Sequence, residues 1–565
     1  MKFTEFSYQR PDLEKFKEHF ENQLTKFDNA MNFEAQIEAI TDINVLRDEF
    51  STMAKLANIR HTINTNDEFY LAERKYIDSV APLMKDFTTR FYTSLLNSKF
   101  RKKLEEKIGK HLFNLAEVAV KTFTPEIESE MIEISELSTE YRRLTASAKI
   151  NFDGKELNLS GMGPYTTSPD RDTRKKASKA KWDFFKKNEE QLDKIYDDLV
   201  KQRHSMALKL GYKNYVELAY TNLGRTDYNH EDVAAFRKQI LETLVPVSQK
   251  LIEKQRKRLG FDTLYFYDEP IQLPEGNAKP KGTLKETLDD TLKMYNELSE
   301  ETGDFFNLMY NNELMDLENK EGKALGGYCT FLKLFESPFI FSNFNGTSDD
   351  IRVLMHEAGH AFQAYSSKDF EIPEYSVPTL EACEIHSMSM EFLTWDWMDL
   401  FFKEDTEKYK YFHLVKALEF LPYCVTVDEF QHWVYENPEA SPADRKKQWR
   451  EIEQKYLPHR NYDDNEFLSN GGYWQQQKHI YEKPFYYIDY GLAQVCAFQF
   501  WKKFNASSKK ENTAALEDYI TLCQAGGSKS FLDLLKLANL ESPFKKDTVK
   551  KAIKPIIAYL DENEI

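Results

Sequence analysis

Apolar residues recur every three or four positions from residue 10 to about residue 145, a spacing that predicts successive amphipathic helices. The pattern changes at Asn151–Leu159, where alternating apolar residues flank a Phe-Asp-Gly-Lys turn and predict a short hairpin. A further helix is expected to begin at Ser168–Pro169, with serine as the cap and proline in the first turn. Residues 260–285 are richer in Pro, Gly and aromatic residues, which predicts a loop with short strands.

The second half of the chain contains two short apolar runs that predict strands, Gly326–Lys333 and Ser337–Gly346. They are followed by residues 351–362, which are apolar nearly all round and therefore predict a buried helix. Another helix is expected over Thr379–Trp395, which has few breaking residues. The pattern as a whole predicts a mostly α-helical protein with a small sheet directly before a buried helix.

Length and composition agree with a large helical protein. The chain has 565 residues, 41% of them hydrophobic, with only 20 glycines and 19 prolines, which favours long helices and several lobes. We divide it approximately into an N-terminal helical lobe, 1–205, which contains the hairpin, and a second region, 206–565. The two regions are expected to pack as one integrated unit.

Charge and cysteine content narrow the possible partners and the location. A net charge of -17 argues against nucleic acid or an anionic membrane as a partner. The chain lacks an apolar run of membrane-spanning length, and its first residues lack a signal-peptide core. Five cysteines without a CxxC pair indicate reduced thiols, so a cytoplasmic protein is expected. The oligomeric state is not encoded in these features.

The buried helix contains the sequence His-Glu-Ala-Gly-His at residues 356–360. Residues four apart lie on the same face of a helix, so His356 and His360 can hold one zinc ion, while Glu357 can reach a water beside it. Two imidazoles and a carboxylate inside an apolar helix need a compensating partner, and a metal ion supplies one. This arrangement is typical of zinc-dependent peptide hydrolysis.

A catalytic zinc ion needs a third protein ligand. The metzincin pattern is excluded, because Gln363 and Ser366 stand where that pattern requires glycine and histidine. The predicted helix over 379–395 offers Glu381, Glu384 and Glu391 on one face. One of them is the expected ligand and the others could support the imidazoles by hydrogen bonds. Spacing alone does not choose between Glu381 and Glu384.

The motif at 356–360, followed by Glu384-Ile-His-Ser-Met-Ser-Met-Glu391, resembles the thimet oligopeptidase and oligoendopeptidase F group of zinc peptidases, including the Pz-peptidase-like enzymes. The segments Asn151–Leu159 and Asp170–Arg174 resemble the central region of oligoendopeptidase F, so the resemblance extends over nearly the whole chain. It implies that Glu384 is the third ligand, with Glu391 and Glu381 as supporting neighbours. It also implies a two-lobed helical zincin with a deep substrate channel and a small sheet whose edge, at Gly327 and Tyr328, receives the substrate backbone.

A tyrosine-rich segment, 469–491, contains a glycine pair and one histidine, and tyrosine hydroxyls can donate to an oxyanion. In this family a histidine followed by a tyrosine series contacts the substrate and the reaction intermediate. The resemblance therefore implies catalytic roles for His479 and Tyr490 and substrate contacts for Tyr487 and Tyr486. The spacing within this segment departs from the family pattern, so the assignment of Tyr486 stays open.

The sequence therefore predicts an endopeptidase with one zinc ion per chain that cleaves short unstructured peptides, with Glu357 as the general base. One alternative is a related helical zinc carboxypeptidase or dipeptidase that trims chain ends. The other is a peptide-binding protein that has lost catalysis, although the complete set of His356, Glu357, His360 and Glu384 argues against it.

Overall fold

The N-terminal part of the computed structural model is a series of helices, as the apolar spacing predicts. The structure describes residues 1–505 and 509–565. Asp12, Asn32 and Asp67 cap the first three helices, and the side chain of each accepts a hydrogen bond from a backbone N–H in the first turn. The first six helices are α1 Leu13–Asn29, α2 Phe33–Ile63, α3 Glu68–Leu96, α4 Arg101–Ile108, α5 Lys110–Ala119 and α6 Glu128–Ala146.

The predicted hairpin is confirmed, with β1 (Ile150–Phe152) antiparallel to β2 (Lys155–Leu157). Asp153 and Gly154 form its turn with positive φ angles of 51° and 72°, a conformation that Asp-Gly favours. The helix expected at Ser168 begins instead at Arg171, because the side chain of Asp170 accepts the hydrogen bond that caps it. The middle helices are α7 Gly163–Thr166, α8 Arg171–Lys187, α9 Glu189–Lys209, α10 Tyr215–Asn222, α11 His230–Gln239, α12 Val245–Arg258, α13 Leu284–Leu298 and α14 Glu300–Asn311.

The short strands predicted within residues 260–285 are wrong: this fully described segment is a loop without a strand. Side chains form hydrogen bonds with backbone carbonyls of this loop, which in a strand would pair with the backbone of a neighbouring strand. The amide of Gln255 donates to the carbonyls of Glu269 and Ile271, and the buried carboxylate of Asp268 pairs with Arg174. Aromatic residues in this segment therefore pack around ion pairs rather than along a sheet.

A three-stranded sheet lies immediately before the buried helix. It contains the two predicted strands, β4 (Tyr328–Leu332) and β5 (Ser337–Phe344), together with β3 (Met315–Glu318), which the sequence pattern did not indicate. The strand order is β3-β5-β4, with β5 parallel to β3 and antiparallel to β4. β4 is therefore an edge strand.

The C-terminal half is again helical and contains both helices predicted around the motif. The fold is thus mostly α-helical with a small sheet, as expected. None of the described helices combines the length and apolar character that crossing a bilayer requires. The remaining helices are α15 Asp349–Ser366, α16 Pro373–Ser376, α17 Leu380–Leu393, α18 Met398–Phe402, α19 Thr406–Glu436, α20 Pro442–Tyr456, α21 Glu466–Ser469, α22 Lys478–Glu482, α23 Tyr487–Phe504, α24 Lys509–Ala525, α25 Phe531–Leu537 and α26 Thr548–Glu562.

The largest hydrophobic core contains residues from Phe3 to Leu560 and so joins both regions of the chain. The approximate boundary at residues 205 and 206 lies inside α9. A smaller core joins α1, α2, α3 and α5 in the N-terminal part. The division into 1–205 and 206–565 stays a prediction, and the shared core is what an integrated unit requires.

Helix α17 lies at the centre of the C-terminal half, packed between α15 and α23, with every residue from Glu381 to Leu393 buried. Gly359 allows α15 to approach it closely. A methyl group at this position would lie 2.7 Å from both the carbonyl oxygen of His386 and the Cα of Ser387. The absence of a side chain at Gly359 therefore sets the separation of the two helices.

We predict that Gly359→Ala lowers the free energy of unfolding by about 1–3 kcal/mol, because backbone atoms of α17 cannot move aside as a flexible side chain could. Urea unfolding followed by circular dichroism measures the change. Gly163→Ala is the control, since a methyl group there has no atom within 4 Å, and it should change stability by less than about 0.5 kcal/mol. Equal effects of the two substitutions would contradict the close packing of α15 on α17.

Candidate functional site

Helices α15 and α17 bring His356, His360 and Glu384 together. Nε2 of His356 lies 3.2 Å, and Nε2 of His360 3.5 Å, from Oε2 of Glu384. One ligand atom from each of these three residues lies within 4.8 Å of the other two. We call His356, His360 and Glu384 the ligand cluster. It is the one such group of three or more His, Cys, Asp or Glu residues found in the described parts of the chain.

Glu391 orients His356 from the side opposite Glu384. Nε1 of Trp395 donates to Nδ1 of His413, so His413 carries its proton on Nε2 and donates it to Glu391 (2.9 Å). The other oxygen of Glu391 lies 2.7 Å from Nδ1 of His356 and accepts its proton. In the neutral ring, Nε2 of His356 then presents its lone pair toward Glu384, which is the tautomer a metal ligand needs.

Two hydroxyl groups hold the carboxylate of Glu384. Tyr486 donates to Oε1 (2.6 Å), and Ser387 donates to Oε2 (2.9 Å), the oxygen that faces both imidazoles. Tyr486 was expected to contact substrate, whereas its hydroxyl is engaged with Glu384. The sequence does not indicate this contact, because Tyr486 and Glu384 are 102 positions apart.

Charge is concentrated in this buried region. Burial lowers the pKa of His356, but its contacts with Glu384 and Glu391 outweigh that effect and raise the pKa to about 10. Burial would raise the pKa of Glu384, yet the adjacent His360 and His356 hold it well below its usual range. The carboxylates are therefore ionised, and the surroundings favour positive charge between them. A divalent cation fits this donor set, which combines imidazole nitrogen and carboxylate oxygen.

Glu357 lies beside the ligand cluster and next to the edge strand. Its side chain is buried, Oε2 has no hydrogen-bond partner among the described residues, and burial raises its pKa. A methyl group placed on Gly327 would lie 3.7 Å from Oε1 of Glu357. An unpaired buried carboxylate oxygen with a raised pKa is suited to accept a proton from a water molecule.

Strand β4 lies close to this carboxylate, and one of its edges is not paired with another strand. The N–H of Ile340 on β5 donates to the carbonyl of Leu314, next to β3, and so points away from β4. Cys329 on β4 lies opposite Ile340, and in an antiparallel pair its backbone N–H and C=O then point away from β5, toward the open edge. The same alternation would direct the backbone groups of Gly327, two residues earlier, toward this open edge. At the far end of the strand, the ammonium of Lys55 donates a hydrogen bond to the carbonyl of Phe331 (3.0 Å). Short peptide segments can pair with such an edge through backbone hydrogen bonds.

Tyr328, expected to contact substrate, is engaged elsewhere. Its hydroxyl lies 2.6 Å from that of Thr62 on α2, and its ring stacks on Phe341 at 4.9 Å. Its backbone alternates with that of Cys329 and so faces β5. Tyr328 thus lies on the edge strand with its backbone groups directed inward, and Gly327 directly precedes the strand. The substrate contacts expected for Gly327 and Tyr328 stay predictions.

The segment containing His479 lies across from this edge. Lys478 brings its ammonium to 3.9 Å from a methyl group placed on Gly326. The amide of Gln477 donates to Nδ1 of His479 (2.6 Å), so the proton of the neutral ring is on Nε2. Burial, followed by the charge of Lys478, lowers the pKa of His479 to about 3. His479 is therefore a neutral hydrogen-bond donor at ordinary pH.

Three tyrosines surround His479, with ring centroids 5.0 to 5.8 Å from its own. Burial, followed by the charges of Glu384 and Glu357, raises the pKa of Tyr490, and its ring lies 5.0 Å from that of Tyr486, whose hydroxyl binds Glu384. Tyr487 packs instead on Phe420 of α19.

Glu381 does not reach the imidazoles that it was expected to support. It is buried, its two carboxylate oxygens have no hydrogen-bond partner among the described residues, and it lies near the charges of Asp489 and Arg225. Burial, followed by the charge of Asp489, raises the pKa of Glu381 to about 8. One helical turn thus separates a carboxylate in the ligand cluster from one in a different buried group.

Comparisons with known proteins agree with this geometry. The model of the peptidase M3 N-terminal domain matches residues 3–123, and that of peptidase family M3 matches residues 164–553. The structure of PZ peptidase A with inhibitor 2 is 55% identical, with a TM-score of 0.96 and 99% of both chains covered. Oligopeptidase PepF of Bacillus subtilis (strain 168) is 22% identical over 93% of this chain and 80% of its own length.

A second curated relative, an oligoendopeptidase F homolog of Borreliella burgdorferi, is 24% identical over 70% of this chain and 66% of that protein. The resemblance to the oligoendopeptidase F and Pz-peptidase group is thereby confirmed. Because the family model covers more than half of the 565 residues, the chain belongs to peptidase family M3.

Proposed function

We propose that this protein is a zinc-dependent oligoendopeptidase that hydrolyses internal bonds of short unstructured peptides. The observation that carries the proposal is the ligand cluster with Glu357 beside the open edge of β4. Membership of a peptidase family supports the reaction class. The names of two relatives, oligopeptidase and oligoendopeptidase F homolog, support short peptides as substrates and internal bonds as targets.

The ligand cluster would hold one zinc ion through Nε2 of His356, Nε2 of His360 and a carboxylate oxygen of Glu384. Two observations support this fit: the tautomer of His356 set by Glu391, and the buried charge that a cation would balance. When bound, zinc acts as a Lewis acid that polarises the scissile carbonyl and acidifies water. Glu391 and Tyr486 hold the ligand side chains in place.

Glu357 is the general base in this proposal. Its unpaired Oε2 accepts the proton of the attacking water, and the raised pKa allows the carboxyl group to keep that proton and then pass it to the leaving amine. The short distance from Glu357 to Gly327 supports contact between Glu357 and a peptide bound at the β4 edge. Because residues 326 and 327 are glycines, no side chain of this segment lies between its backbone and Glu357 or Lys478.

His479 and Tyr490 stabilise the negative charge that develops on the carbonyl oxygen. Both are neutral donors at ordinary pH, because the pKa of His479 is low and that of Tyr490 is raised. Donors that are already in place strengthen as charge develops, which lowers the barrier. The two-lobed shape with a deep channel, the cytoplasmic location and the supporting role of Glu381 stay predictions.

We expect Glu357→Gln to lower kcat by at least about 100-fold while zinc still binds, since the amide cannot accept the proton. Glu384→Gln is the matched control, because the same change in a proposed ligand should weaken zinc binding itself. Peptide hydrolysis and zinc content after dialysis measure the two effects. Substantial activity in the Glu357 variant would rule out the base assigned here.

Tyr490→Phe should lower kcat/KM by about 100-fold through loss of one donor to the oxyanion. Tyr487→Phe removes a hydroxyl from the adjacent ring, which packs on Phe420, and should change kcat/KM by less than about 5-fold. Steady-state kinetics with one fluorogenic peptide compare the two variants. Similar losses would mean that the hydroxyl of Tyr490 has no special place in the reaction.

A peptide of ten residues blocked at both ends separates the proposal from the exopeptidase alternative. The protein should cleave it internally, lose this activity with a chelator and regain it with zinc. Mass spectrometry of the fragments gives the cleaved bond. Trimming of the unblocked peptide alone would indicate a carboxypeptidase or dipeptidase, and binding of both peptides without cleavage would indicate a catalytically silent protein.

A further inference from the structure

The backbone immediately before Tyr486 has an unusual conformation. Phe485 has a φ of +63°, in the left-handed region that a bulky side chain rarely adopts. Its side chain is fully buried against Tyr220 and Tyr435. Such a conformation persists only where the surrounding structure holds it in place, and it occurs often at functional sites.

Two buried side chains hold both backbone polar groups of Phe485. Nη2 of Arg225, from the segment after α10, donates to the carbonyl of Phe485 (2.6 Å) and to the carboxylate of Asp489 (2.6 Å). Oε1 of Gln431 on α19 accepts the N–H of Phe485 (3.0 Å). Arg225 and Gln431 come from separate parts of the chain and converge on one residue.

The direction of Tyr486 depends on this turn, because Tyr486 follows Phe485 directly. Its hydroxyl donates to Oε1 of Glu384, and Oε2 of the same carboxylate faces the two imidazoles. An altered φ at Phe485 would turn the Tyr486 ring away from Glu384. Neither Arg225 nor Gln431 makes a described hydrogen bond or ion pair with the ligand cluster, and the backbone of Phe485 connects both of them to Tyr486.

We propose that Arg225 and Gln431 are positioning residues for the metal ligand Glu384. They hold Phe485 in its left-handed conformation so that Tyr486 orients the Glu384 carboxylate. The inference rests on the proposed zinc site and adds residues that contact neither the metal ligands nor the substrate edge. Hydrogen bonds to metal ligands from neighbouring side chains typically change metal affinity by about 10- to 100-fold.

The first test is the zinc affinity of Arg225→Lys, measured by competition with a chelating dye. Lysine keeps a positive charge near Asp489, but its side chain is shorter than that of arginine, so its ammonium does not reach the position from which Nη2 contacts both Asp489 and the Phe485 carbonyl. We expect zinc to bind about 10-fold more weakly than to the wild type. Gln431→Met, which removes one neutral hydrogen bond to Phe485, should weaken zinc binding in the same direction and tests the idea if the arginine variant does not fold.

Arg174→Lys is the matched control. Arg174 is equally buried and likewise joins a buried carboxylate, Asp268, to backbone carbonyls, at Ser168 and Pro169. It should lose stability for the same reason as Arg225→Lys yet bind zinc within about 2-fold of the wild type. Circular dichroism and thermal unfolding show whether the variants are folded to a similar degree.

The double variant Arg225→Lys with Tyr486→Phe distinguishes an effect through the Tyr486 hydroxyl from a general loss of packing around the site. If Arg225 acts through the Tyr486 hydroxyl, its substitution should weaken zinc binding by less than about 2-fold once that hydroxyl is absent. The inference would be overturned if the losses of zinc affinity caused by Arg225→Lys and Tyr486→Phe multiplied in the double variant. It would also be overturned if Arg225→Lys and Gln431→Met were both folded and bound zinc as tightly as the wild type. Zinc-dependent cleavage of the blocked peptide by the wild type would leave the proposed function standing in that case. A wild type that does not bind zinc would overturn both.

Discussion

A carboxylate buried in a protein must find partners, and α17 buries three of them within eleven residues. Two of them are paired from different directions: Glu384 meets the imidazoles of α15 and the hydroxyl of Tyr486, and Glu391 joins His356 to His413. The third, Glu381, has no hydrogen-bond partner among the described residues, and burial together with Asp489 raises its pKa to about 8, which favours the neutral, protonated form. Burying an unpaired charge is strongly unfavourable, so these contacts constrain which helices can surround α17. The arrangement of the site and the packing of the C-terminal helices therefore depend on the same contacts.

Local signals explain most of what the sequence predicts about the fold. Helical periodicity locates the N-terminal helices, the Asp-Gly turn gives the hairpin, and apolar runs give β4 and β5. The short strand β3 carries no comparable signal, since it consists of the four residues Met-Asp-Leu-Glu. The loop at 260–285 misleads because its aromatic residues pack around Asp268 and its ion pairs, contacts that join residues almost a hundred positions apart.

The candidate site divides in the same way. His356, Glu357 and His360 follow from spacing on a single helix, whereas helical spacing leaves Glu381 and Glu384 equivalent. The resemblance to a known family points to Glu384, and the structure brings this residue rather than Glu381 to the imidazoles. The contacts of His413 with Glu391 and of the Tyr486 hydroxyl with Glu384 depend on tertiary packing between residues 22 and 102 positions apart. Gln477 is only two residues from His479, but its contact depends on the local turn rather than on a helical or strand repeat. No periodic pattern marks such residues, so a single sequence does not reveal them.

Lys55 limits the length of the open edge of β4, because its ammonium already donates a hydrogen bond to the carbonyl of Phe331. An added strand would find open backbone groups at Gly327 and Cys329, enough for only a few hydrogen bonds of about 0.5–1.5 kcal/mol each. A peptide held by so few hydrogen bonds would dissociate quickly, and so would the fragments left after cleavage. The short ladder favours rapid exchange over tight retention, which suits a protein that must release two products before each new cycle.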